Sequence, residues 1–309
     1  MLKANDISNR NKTVIVIGGP TASGKTSFAI DLAIQLNCEI ISADSRQVYA
    51  EMHIGTAKPT QEELEAVPHH LIGHRSITES YSVGKYIEEA LKVIDELHRS
   101  SDYVIVVGGT GLYLKGLVEG VDDFPQVDGQ VVDELQSIYE SEGITILQEE
   151  LKRSDPTYYD MVDLHNPQRL IRALSITRST GETYSSYRKA VKVERPWKHV
   201  LIALRLDRSE LYDRINRRVD LMMDRGLLEE VSTLLPHKNL RSLDTVGYKE
   251  LFNYLDGDWS YDQAVDKIKQ HTRNYAKRQM TWFSNQQSYR HFHPSAQEDA
   301  MRYITSVSS

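Results

Sequence analysis

The phosphate-loop motif Gly19-Pro20-Thr21-Ala22-Ser23-Gly24-Lys25-Thr26 is the feature that most constrains the fold of this chain. It matches G-x-x-x-x-G-K-[ST], follows a β-branched run at 13–17 and precedes apolar residues at helical spacing over 26–36. In such a loop, backbone N–H groups converge on phosphate oxygens, the lysine adds a charge and the Ser or Thr hydroxyl binds magnesium. The motif predicts a strand–loop–helix unit that binds a polyphosphate; the alternative is a plain glycine-rich turn.

Strand and helix patterns alternate along the rest of the chain. Strand-like runs at 39–42, 103–107 and 200–206 are accompanied by a helical pattern at 83–99. This alternation predicts an α/β fold, a doubly wound parallel sheet of the P-loop type with its ligand site at the carboxyl ends of the strands. The run at 200–206 is the last strand that we predict, and a long helix at 261–285 is expected to finish the fold.

The segment 122–196 interrupts this alternation and is helical in pattern almost throughout. Asn166 is a candidate N-cap, Pro167 stands at the first helical position and Gly181 follows the last turn. The predicted helices within and after the segment are 129–142, 144–153, 167–178, 209–225 and 227–235. We therefore predict a core formed by 1–121 and 197–309, with a helical insertion domain at 122–196.

Composition and charge exclude several classes of protein. No apolar run approaches the ~20 residues of a membrane span, and the polar N-terminus lacks a secretory h-region. Cys38 is the only cysteine, which excludes an internal disulfide and a multi-cysteine metal site. A soluble, cytoplasmic protein is expected. The net charge of −7 argues against a uniformly basic surface but leaves room for a local basic face that binds nucleic acid.

The end of the strand at 103–107 bears on the kind of polyphosphate chemistry. A P-loop nucleotidase carries a magnesium-binding aspartate at the end of its second strand, but here Gly108-Gly109-Thr110-Gly111 follows without an acid. The glycines permit close approach to an anion or a flat ring, or form only a tight turn. Asp44, after the strand at 39–42, is the acid near the loop, and it is either a cap or a general base.

Several other polar residues have both a purely structural and a functional interpretation. His69-His70 suggest a metal site, but neighbours on a strand face opposite ways, which disfavours it. Lys269, Arg273 and Lys277 share one helix face opposed only by Asp262 and Asp266, and form either a solvated face or a track for phosphates. Arg169 and Arg172 either clamp phosphates or form salt bridges.

Seven motifs carry a family resemblance. They are GPTASGKT at 19–26, ISADSRQVY at 41–49, IGTAKP at 54–59, HHLI at 69–72, VGGTGLY at 107–113, NPQRLIRAL at 166–174 and TVGYKE at 245–250. In this order they resemble the tRNA dimethylallyltransferases, also called tRNA isopentenyltransferases, over about Val14 to Phe283. With one cysteine and an end at Ser309, the chain resembles the short bacterial form and not the eukaryotic members that carry a zinc finger.

The resemblance implies a reaction and a set of roles. A dimethylallyl group would pass from its diphosphate to N6 of the adenosine 3′-adjacent to the anticodon in tRNA, releasing pyrophosphate. The phosphate loop would hold the diphosphate, and Thr26 would bind the cofactor Mg2+. Asp44 would accept the N6 proton, and Thr110 would contact the reacting groups. Arg218 would stabilise the leaving pyrophosphate, although Arg214 lies one turn away on the same face.

The resemblance also implies the macromolecular partner. Its tRNA-contacting positions correspond to Asp44, Ser45, Arg46, Gln47, Thr110, Gln168, Arg169, Leu170, Ile171, Arg172, Asp244, Thr245, Val246, Gly247, Tyr248 and Lys249. ATP is expected to bind the loop only as a competitor that carries a pyrophosphate group. The sequence leaves the oligomeric state open, with a monomer as the working expectation.

Two hypotheses from other classes compete with prenyl transfer. A small-molecule kinase would use the same loop to transfer the γ-phosphoryl group of a nucleotide, but the missing strand-end aspartate argues against it. A non-catalytic RNA-binding switch would hold RNA without turnover, and an acid at Asp44 argues against that.

Overall fold

The computed structural model describes residues 12–189 and 192–308. The chain divides into two compact units, one formed by Met1–Glu119 with Glu194–Ser309 and the other by Gly120–Val193. The insertion predicted from the sequence is 122–196, so the second unit begins two residues earlier than that prediction and ends three residues earlier. No helix among the described residues is long and apolar enough to cross a membrane.

The described residues form six strands: β1 (Thr13–Gly18), β2 (Ile40–Ser42), β3 (His69–His70), β4 (Tyr103–Gly108), β5 (Lys198–Leu204) and β6 (Arg290–Phe292). They also form fourteen α-helices: α1 (Lys25–Leu36), α2 (Gln61–Ala66), α3 (Val83–Leu97), α4 (Gly111–Glu119), α5 (Gly129–Glu142), α6 (Ile144–Ser154), α7 (Pro156–Tyr159), α8 (Pro167–Thr180), α9 (Tyr184–Tyr187), α10 (Arg208–Asp224), α11 (Leu227–Leu234), α12 (Tyr248–Leu255), α13 (Tyr261–Ser284) and α14 (Gln297–Ser308).

The strands of the first unit form one sheet in the order β3-β2-β4-β1-β5-β6, and all the pairings are parallel. Strand β1 is central: its Ile15 pairs with Ile105 of β4 on one side and with Val200 of β5 on the other. Because parallel strands end at the same edge, the loops after β1, β2 and β4 come together there. This edge carries the phosphate loop.

Both faces of the sheet are covered, which confirms the doubly wound α/β prediction. Val14 and Val16 of β1 pack in one apolar cluster with residues of α3 and α4. Ile15 and Ile17, which alternate with them, pack in a second cluster with residues of α1 and α14. Alternate side chains of a strand point to opposite faces, so a near-continuous apolar run is required when both faces are buried.

The prediction that the fold ends with the strand at 200–206 and the helix at 261–285 was wrong. That strand occupies Lys198–Leu204, and Arg290–Phe292 adds a sixth strand that pairs with it. Helix α14 then returns to the sheet, where Ala300 and Ile304 are buried. Strands of two or three residues, such as β3 and β6, are too short to show a periodic pattern, so only pairing with a neighbour reveals them.

The second unit is a small helical bundle with its own core. Helices α5, α6 and α8 bury Leu135, Leu147, Leu151 and Leu170. The predicted cap of α8 is confirmed: Asn166 accepts a hydrogen bond from the Arg169 N–H at 3.3 Å, and Gly181 follows the helix with φ +77°. A left-handed conformation after the last turn favours glycine, which ends the helix there.

Candidate active site

A cavity of about 550 Å³ lies at the carboxyl ends of the strands in the first unit. It brings together residues that are far apart in the sequence. The predicted site residues that line it are Thr21, Ala22, Ser23, Gly24, Lys25, Thr26, Asp44, Ser45, Arg46, Gln47, Arg218, Asp244, Thr245, Val246 and Gly247. The prediction of a site at this edge of the sheet therefore corresponds to a real cavity.

The phosphate loop leads directly from β1 into α1. Gly24 adopts φ +86° before the first helical residue, a left-handed conformation that favours glycine. The Lys25 Nζ donates to the Pro20 carbonyl oxygen at 2.6 Å, so the side chain folds back over the loop. The Thr21 N–H donates to Gln279 Oε1 at 2.8 Å, which ties the loop to α13.

The electrostatics of the cavity favour an anion. The pKa of Lys25 is lowered to about 7, mainly by burial and in part by the Arg218 guanidinium, while Asp44 acts in the opposite direction. Burial also lowers the pKa of Arg218 from its usual value. Two cations share a poorly solvated space, and a bound anion would relieve the repulsion between them.

The structure distinguishes between the two candidate arginines of α10. Arg218 lines the cavity, where its charge acts on Lys25. Arg214 is absent from the cavity lining of the described chain, and its Nη2 donates to Glu210 Oε1 at 2.8 Å. Its Nη1 nevertheless lies beside the phosphate loop, 3.6 Å from where a Cβ on Gly24 would stand. Of the two arginines, Arg218 is the one that lines the cavity, and its contact with pyrophosphate stays a prediction.

Asp44 caps a turn, which is one of the two roles that the sequence left open, and its role as a general base stays a prediction. Its Oδ1 accepts hydrogen bonds from the backbone N–H groups of Arg46 at 2.9 Å and Gln47 at 3.3 Å, which caps the turn after β2. Within the described chain, its Oδ2 has no hydrogen bond to protein. The carboxylate is thus held in a fixed orientation at the cavity wall with one oxygen free to accept a proton.

The glycines at the end of β4, Gly108 and Gly109, are required by tight packing. A Cβ on Gly108 would lie 2.1 Å from the Ala43 carbonyl oxygen, and one on Gly109 would lie 2.3 Å from Gln279 Nε2. Thr110 Oγ1 accepts a hydrogen bond from the Ser45 N–H at 3.0 Å. These contacts hold the ends of β2 and β4 together and support the tight-turn interpretation. A direct contact of Thr110 with substrate stays a prediction.

The side chains of Arg46 and Gln47 are hydrogen-bonded within the protein. Arg46 donates from Nη1 to the Ser242 carbonyl oxygen at 2.7 Å and from Nη2 to that of Asp244 at 3.1 Å. Gln47 Nε2 donates to the Ala57 carbonyl oxygen at 3.0 Å. Both residues therefore position the neighbouring walls of the cavity, and their contact with tRNA stays a prediction.

Three predicted tRNA contacts need correction because their side chains are buried. Tyr248 is 0% exposed and its hydroxyl donates to Glu230 Oε1 at 2.6 Å. Leu170 and Ile171 lie in the core of the helical unit. A helix alternates inward and outward positions, so a continuous motif always includes core residues. Gln168, Arg169, Arg172 and Lys249 are exposed.

The basic stripe of α13 is partly neutralised by a neighbouring helix. Lys269 lies 2.6 Å from Asp220, and Arg273 Nη1 donates to Asn216 Oδ1 at 2.6 Å. The acids visible from the sequence, Asp262 and Asp266, lie on α13 itself, whereas these two partners come from α10. A plain solvated face is therefore the wrong description of two of its three residues.

The opposite side of α13 lines the cavity, which the sequence analysis missed. Thr272, Tyr275 and Gln279 contribute to the lining. Gln279 also donates from Nε2 to the Gly109 carbonyl oxygen at 2.9 Å, so it connects the phosphate loop to the end of β4. The spacing of three and four residues is a helical signal that could have revealed this face.

The capacity of the site for a metal is limited to a few oxygen atoms. The described residues contain no cluster of three or more His, Cys, Asp or Glu side chains that could hold an ion. His69 and His70 do not converge: His69 lines the cavity, whereas His70 Nε2 lies 2.6 Å from Glu39 Oε2. Thr26 faces the cavity at the start of α1, which suits Mg2+ held mainly by phosphate oxygens and water.

Comparison with known proteins assigns the family. The family model described as IPP transferase matches residues 47–286. The chain is 47% identical over 292 residues to tRNA dimethylallyltransferase 1 of Bacteroides thetaiotaomicron, covering 94% of this chain and 95% of that protein. It is 46% identical to tRNA dimethylallyltransferase of Flavobacterium johnsoniae, covering 95% of this chain and 97% of that protein.

Solved structures agree. The full-length tRNA isopentenylpyrophosphate transferase of Bacillus halodurans has a TM-score of 0.71 at 37% identity, covering 96% of this chain and 97% of that one. A eukaryotic dimethylallyltransferase acting on tRNA has a TM-score of 0.73 at 29% identity, covering 88% of this chain and 70% of that one. Both the sequence and the fold identify this chain as a member of the tRNA dimethylallyltransferase family of prenyltransferases.

Proposed function

We propose that the cavity transfers a dimethylallyl group from dimethylallyl diphosphate to N6 of the adenosine 3′-adjacent to the anticodon in tRNA. The observation that carries the proposal is the joint lining of one cavity by the phosphate loop, Asp44 and Arg218. The proposed anion-binding groups and the Asp44 carboxylate thereby share one space. Such a pairing suits a reaction in which an anionic group leaves while a nucleophile loses a proton.

The proposed step is a substitution at the allylic carbon of the donor. The bond between the allylic carbon and the diphosphate oxygen breaks, and pyrophosphate departs with the bonding electrons. The N6 nitrogen forms the new carbon–nitrogen bond, and its proton passes to the Oδ2 of Asp44. Lys25 and Arg218 stabilise the negative charge that develops on the departing pyrophosphate, and burial strengthens this interaction because little water screens it.

Mg2+ is the proposed cofactor. The Thr26 hydroxyl would hold it together with diphosphate oxygens and water, as is usual for an ion that keeps several waters. When bound, the ion supplies further charge stabilisation to the pyrophosphate oxygens.

The tRNA must present its adenine outside the base stack. An N6 amine inside a stacked loop cannot reach the cavity, so the base has to be extruded, at a cost of a few kcal/mol. The exposed residues of the predicted tRNA-binding segments, including Arg169 and Lys249, are proposed to contribute to this binding.

The test uses radiolabelled dimethylallyl diphosphate with bulk tRNA, followed by nucleoside analysis. Labelled N6-dimethylallyladenosine is the expected product, and its formation should neither require nor consume ATP. ATP labelled at the γ-phosphate is the control for the kinase alternative. A requirement for ATP, or phosphate release in proportion to turnover, would refute the proposal.

A further inference from the structure

A continuous series of aromatic contacts, with an arginine at each end, lies in the helical unit Gly120–Val193. The rings of Phe124 and Tyr184 are stacked with centroids 4.8 Å apart and planes 12° apart, and Tyr158 lies 4.5 Å from Tyr184. The guanidinium carbons of Arg172 and Arg188 lie 5.8 Å and 5.4 Å from the ring centroids of Phe124 and Tyr158. We refer to these five residues as the arginine-capped series.

One part of the series is anchored in the core and the rest reaches the surface. Tyr158 is buried in the same apolar cluster as Leu170, whereas Phe124 and Tyr184 are half-buried. Arg172 is exposed and follows two core residues of α8, so the helix holds its position firmly. The Phe124 ring therefore supports a guanidinium group that remains open to solvent.

The charge of Arg172 is not used in an ion pair within the described chain. On the same helix, Arg178 contrasts with it, because its guanidinium lies 2.7 Å from Glu150 and 3.1 Å from Glu134. The salt-bridge alternative given above for Arg169 and Arg172 therefore does not hold for Arg172 within the described chain, whereas Arg178 of the same helix does form salt bridges. An unneutralised planar cation that rests on a ring is suited to stacking against an unpaired nucleobase.

We propose that Arg172, supported by Phe124, is a stacking platform for an unpaired nucleobase of the tRNA loop. This inference rests on the proposed function, which makes tRNA the substrate. The base lies flat on the open side of the guanidinium, where stacking and cation–π attraction act together. A phosphate contact would need only a positive charge, whereas the platform needs the planar group and the ring behind it.

The test measures binding of an anticodon stem-loop RNA to the full-length protein over a range of salt concentrations. Arg172→Lys keeps the charge but removes the plane. The matched control is Arg153→Lys, at an exposed arginine of α6 in the same unit that lies outside the predicted tRNA-binding segments. Arg172→Lys is expected to weaken binding by about tenfold or more, with an unchanged slope of log affinity against log salt. Arg153→Lys is expected to stay within about threefold of the unsubstituted protein.

Two Phe124 variants test the support for the platform. Phe124→Leu removes the ring and should weaken RNA binding in the same way. Phe124→Tyr keeps the ring and should leave RNA binding unchanged. The melting temperature of each variant is measured, so that a loss of RNA affinity is compared only between folded proteins. If Phe124→Leu unfolds the helical unit, the Arg172→Lys result alone decides the question.

Unchanged affinity in Arg172→Lys, with a salt slope lowered by about one in Arg172→Ala, would identify a phosphate contact and overturn the platform. Prenyl transfer is assayed on the same preparations to separate the two proposals. If the unsubstituted protein transfers the prenyl group and Arg172→Lys leaves RNA affinity unchanged, the platform alone is refuted. If RNA binding depends on Arg172 but the unsubstituted protein transfers no prenyl group, the proposed reaction alone is refuted.

Discussion

Binding of the diphosphate donor should draw a proton from solvent at alkaline pH. Burial lowers the pKa of Lys25 to about 7, so at pH 8 only about a tenth of the free protein carries the ammonium form. The negative charge of a bound diphosphate favours that form and raises the pKa again. We therefore expect an uptake of about 0.9 proton per site at pH 8, and donor affinity should fall by about tenfold per pH unit above pH 7.

Calorimetric titration in two buffers of different ionisation enthalpy measures this uptake directly. Lys25→Ala removes the group, and Lys25→Arg keeps a charge that does not titrate in this range, so both variants should take up little or no proton at pH 8. An uptake below about 0.2 in the unsubstituted protein, or an equal uptake in Lys25→Ala, would refute the reasoning.

The lowered pKa of Lys25 reduces the stability of the folded protein at neutral pH. Between about pH 7 and the value of 10.5 for an unfolded chain, the folded state binds fewer protons than the unfolded state, so stability rises with pH. Lys25→Met removes this cost and should raise the free energy of unfolding at pH 7 by about 2–4 kcal/mol. Urea unfolding of both proteins at pH 7 and pH 9 provides the test; an equal free energy at pH 7 would contradict the expectation.

Three further substitutions test other parts of the site. Asp44→Asn should keep tRNA affinity within a few-fold and lower turnover by about 10² or more; near-normal single-turnover rates would exclude a general base there. Gly108→Ala should unfold or strongly destabilise the protein in thermal melting, because its Cβ would meet a carbonyl oxygen at 2.1 Å, whereas Gly129→Ala has no atom within 4 Å and should be neutral. Tyr248→Phe should cost about 1.5–3 kcal/mol in urea unfolding, since it removes a hydrogen bond to a carboxylate, and Tyr261→Phe on the surface is the control that should show no change.

The sequence by itself determined the fold class and the place of the phosphate loop in the chain. A β-branched run, the glycine-rich loop and an amphipathic helix are local signals, because each depends on residues that are near one another in the chain. The same holds for the helices of the second unit, where Asn166 and Gly181 mark the ends of α8. Local patterns therefore sufficed to place the phosphate loop and the ends of α8.

Only the tertiary structure decided which side chains are free to act. Arg46 looked like an RNA contact, yet its guanidinium is bonded to carbonyl groups about 200 residues later in the chain. Lys269 looked solvated, yet it is paired with Asp220 of another helix. Gln279 gave no motif at all, although it connects the phosphate loop to Gly109. Such partners come from distant segments, and packing alone brings them within hydrogen-bond distance.

The short strands and the arginine-capped series also depend on partners from distant segments of the chain. Arg290–Phe292 is a strand only because β5 pairs with it. Phe124, Tyr184 and Arg172 lie up to 60 residues apart in the sequence, and they stack because the bundle of α5, α6 and α8 brings their segments together. Sequence periodicity reports the face that a residue occupies, whereas the identity of its neighbour across the interface is a property of the folded chain.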